Sequence, residues 1–291
     1  MAFGELPHHR PGPDLTGDDR TARAPIDRLT VAAIAIVAYA FANILHEGLG
    51  HGGACLVVGC TPKVLSTMDF DGGTTGLSRA ATNFIEAGGT LANLLAATAA
   101  FAWFGKKGTA PLHLRYFAWL FGTVNLLHAT GYLLFSGVGN IGDWAHVVRG
   151  LQPAWAWRTA MAVVGGTTYW FSVRYALVTM APFIGGESPE RYRRGLSLML
   201  VPYVTGAALY LVAGAFNPGG LGLLAISGAA ASLGGTSGLA WGPQYLRGNI
   251  IPRAGVSPIA IPRSTGWIAT AAVVGLVFVA ILGPGITFGK S

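Results

Sequence analysis

The chain has 291 residues, 52% of them hydrophobic and 11% charged, whereas a water-soluble domain carries about 25% charged residues to cover its surface. That shortage excludes an ordinary soluble globular protein. The formal charge is +7, from 19 Lys and Arg against 12 Asp and Glu. The basic residues sit in short loops, so they are expected to orient the chain in a bilayer rather than to bind nucleic acid.

Residues 1–28 carry Pro, His, Asp and Arg without an apolar run. They read as a disordered polar tail on the cytoplasmic side, with no cleavable signal. Apolar stretches long enough for a bilayer core of about 30 Å follow near 30–58, 80–104, 116–138, 155–183, 195–216, 221–242 and 265–287. The sixth holds Ser232, Gly234, Gly235, Thr236, Ser237 and Gly238, which suits a broken or re-entrant helix buried in protein. The expectation is therefore an all-α, polytopic integral membrane protein of six to seven transmembrane helices. It divides into the tail, a core of three helices over 29–150, and four further helices over 151–291.

Lys and Arg set the orientation. Arg10, Arg20, Arg23, Arg28, Lys106, Lys107, Arg115, Arg191, Arg193, Arg194, Arg247, Arg253 and Arg263 fall on one side; Lys63, Arg79, Arg149, Arg158 and Lys290 fall on the other. This predicts seven crossings of a plasma or inner membrane, with the N-terminus cytoplasmic and the C-terminus outside. Arg191, Arg193 and Arg194 read as a cytoplasmic anchor, and Arg174 lies inside the fourth span. Cys55 and Cys60 read either as two small apolar side chains at a helix end or as a short-loop disulfide on an oxidising side.

The first span contains Leu45-His46-Glu47-Gly48-Leu49-Gly50-His51-Gly52-Gly53. Two imidazoles and a carboxylate at membrane depth are costly and point to function. They are also groups that zinc prefers, and a nearby Glu can take a proton from an activated water. Later come Glu86-Ala87-Gly88-Gly89-Thr90-Leu91-Ala92-Asn93-Leu94, and Asn125-Leu126-Leu127-His128 leading to Asn140-Ile141-Gly142-Asp143-Trp144. The inferred topology brings all three segments to the outer side of the bilayer.

In their order and spacing these three elements resemble the site-2 protease family of intramembrane zinc metalloproteases, over roughly residues 40–150. The resemblance implies a membrane-embedded zinc hydrolase cleaving a peptide bond within or next to the bilayer. One zinc per chain would be held by His46, His51 and Asp143, with Glu47 as general base and Asn93 holding substrate. The substrate would be a membrane protein or peptide, with membrane lipids as the other partner and no nucleic acid. The loop carrying Asp69, Asp71 and Gly72-Gly73 reads as a solvated turn from its residues, and the family likeness implies a strand that aligns substrate.

The family's histidines lie four apart on one helix face; here they lie five apart, about 140° from each other in a regular helix. A π-bulge, with its i→i+5 bond, would realign them, and Gly48 and Gly50 would accommodate it. Otherwise Glu47 is itself a ligand, or no metal binds. His146 is an alternative ligand. His128 reads as a buried histidine bonded to a neighbour, and Asn125 as an interhelical hydrogen-bonding residue or a holder of substrate backbone. Seven histidines without an HxxHH box exclude a di-iron desaturase, and a haem site would need His46 or His51 to face His128 across two helices. The alternative function is a non-catalytic membrane transporter or scaffold, including a protease relative that has lost activity.

Overall fold

Asp27 starts the first helix. Its Oδ1 accepts from the Thr30 amide at 2.8 Å and from the Thr30 hydroxyl at 2.7 Å, an N-cap that satisfies amides with no partner inside the helix. The computed structural model describes residues 25–106, 110–185, 188–223, 233–248 and 258–289. Residues 1–24, where nearly all of the expected tail falls, lie outside the described residues, as does the middle of the expected sixth span.

From that cap α1 (Arg28–Ile44) runs into a π-helical segment (Leu45–Gly52) and then α2 (Gly53–Val57), giving one continuous helix over Arg28–Val57. A hairpin follows, β1 (Thr61–Leu65) against β2 (Phe70–Gly73), antiparallel with Leu65 opposite Phe70 and Val64 opposite Asp71. Ser66 closes its turn, its Oγ accepting from the amides of Met68 and Asp69. Cys55 and Cys60 form a disulfide that ties the end of α2 to the start of β1.

The remaining helices are α3 (Arg79–Lys106), α4 (Leu112–Gly139), α5 (Asp143–Val147), α6 (Ala154–Thr179), α7 (Ala181–Ile184) and α8 (Ser188–Gly195). The last continues through a π segment, Leu196–Leu200, into α9 (Val201–Ala215). Short turns α10 (Gly220–Leu223) and α11 (Gly238–Trp241), with a 3₁₀ turn at Gly242–Arg247, precede α12 (Thr265–Val277) and its π extension Phe278–Leu282. Finally β3 (Ile286–Thr287) pairs with β1, giving a sheet in the order β2-β1-β3. The protein is mostly helical, with this small sheet as its one departure from all-α among the described residues.

Four helices are long and apolar enough to cross a membrane, namely Arg28–Val57, Arg79–Lys106, Pro189–Ala215 and Thr265–Leu282. The side chains are arranged to match. Asn93, Thr123, Asn125 and Ser136 are fully buried, while Leu95, Val163, Val212 and Leu276 face outward. Apolar outer faces of this extent are compatible with a membrane location and are foreign to a monomer in water. Helices pack closely where small residues permit: a Cβ on Gly165 of α6 would sit 2.6 Å from Leu134 Cα of α4.

The first and last long helices run parallel. Near their starts Ile26 bridges Ile261, and the Ser264 amide donates to Thr30 Oγ1 at 3.0 Å. At their ends the Thr67 amide donates to Leu282 O at 3.0 Å and β1 pairs β3. Two arginines depart from the expected anchor. Arg191 and Arg194 are buried within the bundle, where Arg194 Nε donates to Phe183 O at 2.8 Å and another guanidinium nitrogen bonds Ile259 O. Arg194 thus joins loop carbonyls to the helix start, whereas Arg193 is exposed.

Candidate metal centre

Leu45–Gly52 winds as a π-helix, and the Gly53 amide reaches back to Gly48 O, five residues earlier. The wider turn brings His46 and His51 to one face, with their Nε2 atoms 3.2 Å apart. Regular α-helix would have left the two rings about 140° apart. The helix opposite must leave room for this. A Cβ on Gly50 would lie 2.5 Å from Gly89 Cα, and one on Gly89 would lie 2.6 Å from both histidine Nε2 atoms. Only glycine lets α3 pass this close to the paired rings.

Asp143 arrives from the turn after α4. Asn140 adopts the left-handed conformation, its amide bonding Ser136 O at 2.9 Å, and so ends α4. Gly142 follows at φ +81°, where a Cβ would meet the Tyr132 hydroxyl at 2.8 Å. This turn aims the first residue of α5 inward. Asp143 Oδ2 lies 3.2 Å from His51 Nε2 and 3.4 Å from His46 Nε2, and Tyr132 donates to Oδ1 at 3.2 Å. Trp144 Nε1 donates to Thr90 Oγ1 at 3.0 Å, fastening α5 to α3.

The outer partners of each imidazole decide its chemistry. His51 Nδ1 lies 2.7 Å from the Ile85 carbonyl, which can only accept. Nδ1 therefore carries a proton, and in the neutral ring Nε2 presents a lone pair. His46 Nδ1 donates likewise to Asn93 Oδ1 at 2.9 Å. Two imidazole lone pairs and a carboxylate oxygen thus converge, and Asp143 Oδ2 is buried without a hydrogen-bond partner. Such an arrangement is repulsive until a proton or cation sits among the three. Their donor atoms lie within 4.8 Å of one another. A His₂-carboxylate set with each ring oriented by a second partner fits zinc.

These groups line a cavity of about 490 Å³. Asn43, His46, Glu47 and His51 form one wall, His128 and Tyr132 of α4 another, and Thr67, Met68, Asp69 and Phe70 of the hairpin a third. Glu47 is buried at this wall, and its carboxylate makes no hydrogen bond or ion pair among the described residues. Burial raises the Asp143 carboxyl, but a proton on His51 or His46 beside it, in place of a cation, holds it well below the usual carboxylate range. At the hairpin turn burial raises the Asp69 carboxyl; His51 opposes the rise and Asp71 adds to it.

The other residues singled out in the sequence take different places. Asn93 is fully buried behind His46 instead of on the cavity wall. His146 stands apart from the three ligand atoms, with its Nδ1 3.4 Å from Glu86 Oε1 at the rim. His128 is at the cavity's inner end, its ring against Tyr39 and Tyr210. Its Nε2 finds no hydrogen-bond partner among the described residues, unlike the bonded histidine expected. Asn125 Nδ2 bonds Phe121 O of its own helix. Sequence reasoning missed Tyr132, whose signal is its place one turn beyond His128 on the same face of α4.

Comparison with family models, with curated proteins and with solved structures returned no match.

Proposed function

We propose that the chain is an intramembrane zinc-dependent peptidase of the site-2 protease kind, with seven crossings. The observation that carries this reading is the convergence of the His46 and His51 Nε2 lone pairs with Asp143 Oδ2, each ring fixed from behind by an acceptor. Zinc held by these three residues would supply Lewis acidity to the scissile carbonyl. Glu47, one residue from His46 on the same cavity wall and free of competing bonds, takes the proton from the attacking water and returns it to the leaving amine. Tyr132 holds the Asp143 oxygen that faces away from the histidines. Burial of the cluster keeps bulk water from competing.

A peptide bond inside a helix is shielded, so substrate must be extended at the moment of cleavage. Strand β2 supports this reading. It is an edge of the sheet, and its first residue, Phe70, lines the cavity. An extended segment adding to that edge would lie along the cavity wall.

The parallel first and last long helices support an odd number of crossings, in keeping with seven. Between them α3, α4, α6 and the α8–α9 helix alternate in direction. Asn217 Nδ2 bonds Gly283 O beyond the end of α12, whereas a Cβ on Gly195 would meet Leu246 at the opposite end of the bundle. The described residues at 217–223 and at 233–248 thus lie toward opposite ends of the bundle, which supports a return crossing between them. With the basic residues counted as cytoplasmic, the site opens on the outer side.

Elemental mass spectrometry of the detergent-purified chain tests the proposal. About one zinc per chain, lost in both His46→Ala and Asp143→Ala, is expected. A folded, metal-free wild-type protein would sink the reading and leave a non-catalytic scaffold or transporter.

A further inference from the structure

Beside the metal centre lies a second cavity of about 200 Å³, on the far side of α5. Its charged lining residues are Arg149 and Arg158, and Asn140, Ala145, Val148, Gly150 and Ala154 complete its walls. Arg149 and Asn140 also line the larger cavity, so the two spaces share a wall. A third arginine supports this loop from beneath. Arg79 donates to Arg149 O at 2.6 Å, and its Nη1 would be 3.9 Å from a Cβ on Gly150.

None of these three arginines has a carboxylate within ion-pair distance among the described residues. Arg158 spends Nε and Nη2 on the carbonyls of Gly137 and Val138 at the end of α4. Arg149 offers its guanidinium to no described group and is exposed. The carboxylates of the neighbouring elements are engaged elsewhere, Glu86 with His146 and Asp143 with the paired histidines. Arg149 and Arg158 line one cavity without a counter-ion, with Arg79 bonded to the same loop, and like charges so placed persist most readily where an anion joins them.

The surroundings say which anion. Trp155 and Trp157, in the first turn of α6, are 72% and 44% exposed. Tryptophans exposed at the end of a spanning helix mark the level of the lipid headgroups. We infer that this cavity binds the phosphate of an anionic phospholipid, with Arg149 and Arg158 as its direct partners and Arg79 holding the loop in shape. A basic pocket between spanning helices at headgroup level is suited to such a ligand. The inference needs only that the chain sits in a bilayer; it stands or falls apart from the zinc reading.

The test uses the full chain in neutral detergent, titrated with phosphatidylglycerol and read by native mass spectrometry. Arg149 is the residue to change, because its side chain supports nothing else in the fold. One retained lipid per chain is expected, with apparent affinity about tenfold lower in Arg149→Gln and mostly kept in Arg149→Lys. A large excess of inorganic phosphate should leave the lipid in place. Equal retention by wild type and Arg149→Gln would overturn the site. Displacement by inorganic phosphate alone would overturn the lipid as its occupant.

Discussion

The Nε2 atoms of His46 and His51 face each other across 3.2 Å although five residues separate them. The π segment that achieves this makes the length of the helix itself a test. Deleting Gly48 would leave His46-Glu47-Leu49-Gly50-His51, with the histidines four apart and aligned in ordinary α-helix. We expect that variant to keep its zinc. Inserting one alanine after Gly48 should lose it, because no single bulge then realigns the rings. Metal content of both variants, measured on folded protein, checks the pair; retention after the insertion would show that the spacing is immaterial.

Glu47→Gln separates metal binding from chemistry. The amide cannot accept the proton from water, so peptide cleavage should fall by about 10²–10⁴-fold while zinc content stays near that of wild type. Loss of the zinc together with the activity would instead make Glu47 a ligand.

Gly89 lies against both rings. In Gly89→Ala the new methyl would sit 2.6 Å from each Nε2, so one of the rings must turn away. Zinc should be lost, with a cost in stability of about 1–3 kcal/mol from overpacking. Thermal unfolding read beside metal content distinguishes this local effect from collapse of the fold. Zinc retained at the wild-type level would show that α3 simply moves aside.

Asn93→Ala removes the acceptor that sets the tautomer of His46. Zinc affinity should drop about 10–100-fold, and Asn93→Asp, which keeps an acceptor oxygen, should recover much of it. A competition titration with a chelator measures both. If cleavage falls in Asn93→Ala while zinc affinity is unchanged, Asn93 acts on substrate and not through His46.

Much of this site was legible in the sequence because polar groups in an apolar stretch stand out. His46, Glu47 and His51 sit in a run that would otherwise be pure membrane span. Their irregular spacing also announced the π-bulge, since a regular helix could not use both rings. Asp143 was legible through its turn, Asn140-Ile141-Gly142. What escaped depends on contacts between distant segments. Nothing local to Ile286 and Thr287 says that they extend a sheet begun at Thr61. Arg191 and Arg194 read as surface charge because charged residues near a span end usually are; the burial of Arg194 depends on carbonyls of Phe183 and Ile259. Tyr132 was hidden for the opposite reason, as one aromatic among many in an apolar helix.

Strand β3 also has a consequence for the order in which the protein is completed. It lies more than two hundred residues after β1 in the chain, yet it pairs with that strand. Because β3 follows α12 in the chain, it reaches β1 only after α12 has been made. The Cys55–Cys60 bond anchors the same hairpin at the start of β1. The sheet behind the cavity wall is thus completed only after α12, so a nascent chain holds its histidines before the chamber around them is complete.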